Sequence, residues 1–175
     1  MDSTQIRDTI RRTLSYLDER GKYSGPSAVA LVHRTAIVES LNFEYLKQKG
    51  AGPAKGFWQI ELATAIDLLG RYLVRPSKAR LRDEIKYATG INLWYDDGGE
   101  VILAQGTIPY IPHYLETNIA LGIVLCRLRY WTQPGSGPIP HDIQGQAEYW
   151  KRWYNTPGGG GTVEHFVDLV GRYGG

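Results

Sequence analysis

VHRTAIVES at residues 32–40 and GPAKGFWQIELAT at residues 52–64 hold the most informative pattern in this chain. The first is an apolar run that ends on an acid, Glu39, and a small hydroxyl residue, Ser40. The second opens from the loop-forming KQKGAG and tightens into Gly56-Phe57-Trp58-Gln59-Ile60 before a new helical run. Outward from the acid, Pro26 suits the first turn of a helix. The spacing predicts that this helix runs from Pro26 to Leu41. Its apolar residues, Ala28, Val29, Leu31, Val32, Ala36, Ile37 and Val38, wrap most of its circumference, so it is expected to be central and buried. An acid at the end of such a helix meets free carbonyls, which disfavour a negative charge, and apolar neighbours, which desolvate it. Both effects keep a carboxyl protonated nearer neutral pH, as a general acid must be.

Around this centre the pattern is mainly helical. Ile6, Ile10, Leu14 and Leu17 predict an amphipathic helix from Ser3 to Glu19, with Asp2 or Ser3 as its cap. A third helix is expected from Leu62 to before Pro76, and a fourth over SKARLRDEIKYAT, capped by Ser77 and closed by Gly90. INLWYDDGGEVILAQG alternates around Asp-Asp-Gly-Gly and reads as a β-hairpin. TIPYIPH reads as an irregular connector, followed by one long apolar helix from His113 to Trp131. HDIQGQAEYWKRWYN predicts another helix, and Thr162 caps a final one through Phe166, Leu169 and Val170. The fold class is therefore mainly α with a small β-hairpin (α+β), in a single domain over residues 1–175.

Composition narrows the function classes. A formal net charge of +2 and a pI of 8.6 give no argument for nucleic acid, although they suit an anionic polymer. The basic stretch RYLVRPSKARLRDEIK is interrupted by Asp83 and Glu84 and reads as a solvated helix pair. Cys126 is the only cysteine and lies in IALGIVLC, which predicts a buried core thiol. His33, His113, His141 and His165 show no paired spacing, so neither a metal nor a cofactor is expected. No window approaches a membrane span, and MDSTQIRDTIRRTLSYL lacks a secretory apolar segment. Five Trp and twelve Tyr against three Phe suit a core that opens onto a wet cleft, where such rings stack on sugars.

A second carboxylate is not placed by the sequence. Glu44 would point about 140° away from Glu39 on a continuous helix. Asp96, Asp97 and Glu100 lie in the hairpin, where Asp96 and Asp97 read first as turn formers.

The order Glu39-Ser40, GFWQI, Asn118-Ile119-x-x-Gly122 and Tyr154-Asn155 resembles the catalytic core of lytic transglycosylases and goose-type lysozymes. The resemblance covers about residues 26–161 and implies a lysozyme-like fold that cleaves the β-1,4 bond between N-acetylmuramic acid and N-acetylglucosamine in peptidoglycan glycan strands. It makes Glu39 the acid/base. It carries Ser40, Phe57, Trp58, Gln59, Asn118, Tyr154 and Asn155 over as substrate-binding or acid-positioning residues, with the Tyr154 hydroxyl on Glu39. Trp58 stands where the family has methionine. The single-glutamate mechanism of transglycosylases, with help from the substrate's N-acetyl oxygen, needs no second enzyme carboxylate. Transglycosylase and hydrolase remain equally open. LKQKGAGPAKGFWQIELAT with EYWKRWYNTPGGGGTVEHF is also similar to small phage-encoded proteins of lysozyme-like type. That likeness implies a phage virion or lysis protein, made in the host cytoplasm and acting on the periplasmic wall, with other virion proteins as partners. Its rival implication is a non-catalytic virion adaptor that keeps the fold.

Overall fold

The computed structural model describes residues 3–17, 21–155 and 158–174. Its elements are α1 (Ser3–Tyr16), α2 (Pro26–Glu39), α3 (Leu62–Asp67), α4 (Ala79–Thr89), β1 (Trp94–Asp97), β2 (Glu100–Leu103), α5 (Ile111–Thr117), α6 (Ile119–Trp131), α7 (Ile143–Trp150) and α8 (Val163–Tyr173). The architecture is mainly helical with one two-stranded antiparallel sheet. Asp2 and the stretch 18–20, where the first helix was expected to begin and end, lie outside the described residues. None of the described helices is long and apolar enough to cross a membrane.

Two helices form the middle. α6 is buried continuously from Leu121 to Leu128, because it is apolar all round and has neighbours on every side. α2 packs against it and against α1, α7 and α8, and it ends on Glu39. Cys126 is fully buried in α6, and burial drives its thiol pKa well up. One hydrophobic cluster runs from Ile6 and Ile10 of α1 through these helices to Phe166 and Val170 of α8.

Several local expectations are revised. The single helix expected over His113–Trp131 is broken at Asn118, whose φ of −111° and ψ of 95° are extended. Its side-chain oxygen accepts from Leu121 N at 2.9 Å, so Asn118 ends α5 and caps α6. TIPYIPH is not an irregular connector, because Gln105–Tyr110 forms a 3-10 turn that runs directly into α5. Ser77 does not cap α4; a 3-10 turn over Pro76–Lys78 leads in, with Lys78 at the cap position. Gly90 does close α4, in the left-handed conformation at φ 69°. Wide π turns follow α3, at Leu68–Tyr72, and α7, at Lys151–Asn155.

The hairpin pairs Trp94 with Leu103 and Asp97 with Glu100. Gly98 and Gly99 turn it at φ 66° and 97°, a two-residue loop that needs positive φ at both positions. Asp96 accepts from Gly99 N at 2.6 Å and is a turn former. The Trp94 indole donates to Leu69 O at 2.9 Å, which pins the hairpin to the π turn after α3.

Candidate active site

Glu39 is the last residue of α2. Past it the chain makes a tight turn built on Ser40, whose hydroxyl donates to Ala36 O at 2.7 Å and accepts from Phe43 N at 3.0 Å. Leu41, Asn42 and Phe43 all hold positive φ, at 52°, 57° and 66°. Such a conformation costs a non-glycine residue on the order of 1 kcal/mol each. The buried Phe43 ring and the Ser40 hydrogen bonds oppose that strain. The chain then forms a small antiparallel meander, in which Lys47 bridges to Lys55 and Lys55 to Ile60. This meander returns to the core at Gly56, where φ is 73° and an added Cβ would lie 2.3 Å from Leu115 O. A glycine is required there on both counts.

Glu39 and Gln59 both line a cleft of about 330 Å³, together with Val38, Leu41, Tyr45, Lys47, Gln48 and Lys49. Gln59 is a second strained non-glycine residue, at φ 44°, and its side-chain amide donates to Gly56 O at 2.8 Å. Positive-φ strain therefore follows the acid directly and falls also on Gln59 of the same cleft, the pattern of a site whose geometry is held by its surroundings. Among the described lining residues Glu39 is the one carboxylate.

The Glu39 carboxyl is raised from 4.5 to about 7, first by desolvation. Two effects oppose this: a hydrogen bond from the Trp150 indole to Oε1 at 2.9 Å, and the positive charge of Arg129. Other carboxyls move the opposite way. Backbone hydrogen bonds hold Asp142 and Glu164 below their usual range.

The remaining residues carried over from the resemblance are not among the residues that line the cleft. Trp58 is 1 % exposed, and its indole donates to Val32 O at 2.9 Å. It packs over Gly122, where a Cβ would come within 2.6 Å of the Trp58 ring. Trp58 is therefore a core residue that locks the turn to α6, and the expected sugar contact is not available to it. Phe57 is buried edge-on between Phe43 and Trp58. Ser40 is 0 % exposed and spends its hydroxyl on the turn, so it cannot meet substrate. Asn118 is occupied with the α6 cap and donates to Thr89 O at 2.8 Å. Asn155 accepts from Lys151 Nζ at 2.8 Å. The Tyr154 hydroxyl donates to Trp58 O at 2.6 Å and so fixes the GFWQI turn instead of the acid. The stretch 156–157, within the TPGGGG segment, lies outside the described residues.

The residue that holds the acid is Trp150, which the sequence reading did not single out. It is buried between Phe166 and Gly161, where a Cβ would lie 2.5 Å from its ring. Its only signal was its position on the apolar face of HDIQGQAEYWKRWYN, four residues before Tyr154. Lys47, Lys49 and Tyr45 were also missed, having been read as loop.

A larger cavity, about 480 Å³, lies at the other end of α2 beside Ser27, Trp131 and His141. Its described lining holds no carboxylate. Among the described residues no cluster of His, Cys, Asp and Glu is placed to hold a metal. Comparison with protein-family models, with curated proteins and with solved structures gives no match.

Proposed function

We propose that this protein is a lysozyme-like, phage-encoded enzyme that cleaves the β-1,4 bond between N-acetylmuramic acid and N-acetylglucosamine in peptidoglycan. The observation that carries the reading is Glu39: a helix-end carboxyl, raised to about 7, lining a cleft that Gln59 also lines. Near neutral pH a large share of such carboxyls still carries the proton that the glycosidic oxygen takes as its bond to C1 breaks. Because the cleft has one carboxylate in its described lining, the reading favours participation of the substrate's own N-acetyl oxygen at C1. The Glu39 carboxylate then accepts a proton from the incoming hydroxyl, whether that of water or of the muramyl C6. The Trp150 indole keeps one carboxylate oxygen, Oε1, in place. The open cleft at Glu39 argues for catalysis over a purely structural role in a virion.

The test is the clearing of purified cell-wall suspensions by wild type and by Glu39→Gln. Gln keeps the acceptor for Trp150 and loses only the proton. We expect the variant to fold and to clear at least about a hundredfold more slowly. Clearing at the wild-type rate would remove Glu39 from the mechanism.

A further inference from the structure

We propose that Lys47 and Lys49 make the cleft selective for glycan strands that bear a carboxylate on the muramyl substituent. This rests on the glycan-cleaving reading of the same cleft. The two lysines flank Gln48, whose φ of −58° and ψ of 133° are extended; Lys47 bridges to Lys55 in the meander and Lys49 opens a 3-10 turn. Both line the cleft that Glu39 and Gln59 face. A neutral sugar offers an ammonium group only hydroxyls and amide oxygens, for which uncharged donors would serve as well. Paired ammonium groups at the wall of a cleft instead favour an anion.

Each lysine has a neighbour that holds it. Lys49 Nζ lies 4.2 Å over the Tyr45 ring. Lys47 shares Glu116 of α5 with Lys55, at 3.8 Å and 3.7 Å. One carboxylate thus faces two ammonium groups, and the meander stays net positive. In peptidoglycan the anion that lies beside the scissile bond belongs to the muramyl lactyl arm. In stripped strands that arm ends in a carboxylate, and in intact strands it continues into a peptide with free carboxylates.

The experiment measures binding with Glu39→Gln, which leaves its ligand uncut. Three glycans of equal length are compared: peptide-bearing strands, amidase-stripped strands and neutral chito-oligosaccharide. We expect at least one carboxylate-bearing strand to bind roughly three- to tenfold more tightly than the neutral one. Adding Lys47→Gln and Lys49→Gln should remove that advantage and leave the neutral affinity unchanged. Whichever strand shows the advantage identifies the lactyl or the peptide carboxylate as the ligand. Equal affinity for all three, no binding to any, or loss of neutral binding in the lysine variant overturns the assignment. Cutting by the wild type is scored separately. If it fails while the lysine-dependent preference persists, the catalytic reading falls and the lysine assignment stands.

Discussion

Glu39 is held between opposing influences. Desolvation pushes its carboxyl up, while the Trp150 hydrogen bond and Arg129 pull it down. A carboxyl whose folded pKa lies above its unfolded value destabilises the fold once it ionises. That penalty is absent below about 4.5, grows as pH rises, and is complete above about 7. Glu39→Gln should therefore match wild type in stability at pH 4 and exceed it at pH 8. The gain should be on the order of 3–4 kcal/mol, at about 1.4 kcal/mol for each pH unit between the two values. Urea denaturation at the two pH values checks this, and a gain independent of pH would contradict it. Trp150 makes the complementary case. Its indole favours the ionised carboxylate, so Trp150→Phe should raise the Glu39 pKa further. The alkaline limb of the pH–activity profile, set by loss of the acid proton, should then move to higher pH. An unmoved limb with an intact fold would show that the indole does not tune the acid.

At the scale of elements, the site depends on how α6 receives the GFWQI turn. Trp58 fits there because Gly122 has no side chain. Gly122→Ala should force the ring or the helix to shift and destabilise the protein by about 1–3 kcal/mol, read as a lower urea midpoint. A neutral effect would mean that the turn is not locked in this way. This packing also explains what the sequence did and did not disclose. The start of α2 at Pro26, the Gly90 stop and the Thr162 cap are local events, legible from neighbouring residues. The break at Asn118 was hidden because apolar residues continue across it and the choice between cap and helix interior depends on Thr89, far along the chain. Trp58 read as a sugar contact because its direction is set by Gly122 and Val32, not by its own turn. Positive φ at Leu41 and Phe43 had no local signature at all, since bulky side chains ordinarily avoid it.

Over the whole molecule, the buried pair α2 and α6 is the frame on which α7 and the meander are set. α2 delivers the acid, α7 brings Trp150 to it, and the meander between Leu46 and Ile60 supplies Gln59, Lys47 and Lys49. The mainly helical plan and Glu39 were legible from periodicity and from the apolar run before the acid. Gln59 was marked by its GFWQI turn, whereas Trp150 lies more than a hundred residues from Glu39 and nothing local marks it as the acid's partner. The central claim is that this assembly makes Glu39 a proton donor to a glycan bond. Mass spectrometry of the soluble fragments released from purified sacculi tests it most directly. Wild type should release disaccharide-peptide fragments, with anhydro ends for a transglycosylase or reducing ends for a hydrolase, and Glu39→Gln should release none. Absence of fragments with wild type, or equal release by both proteins, would contradict the account.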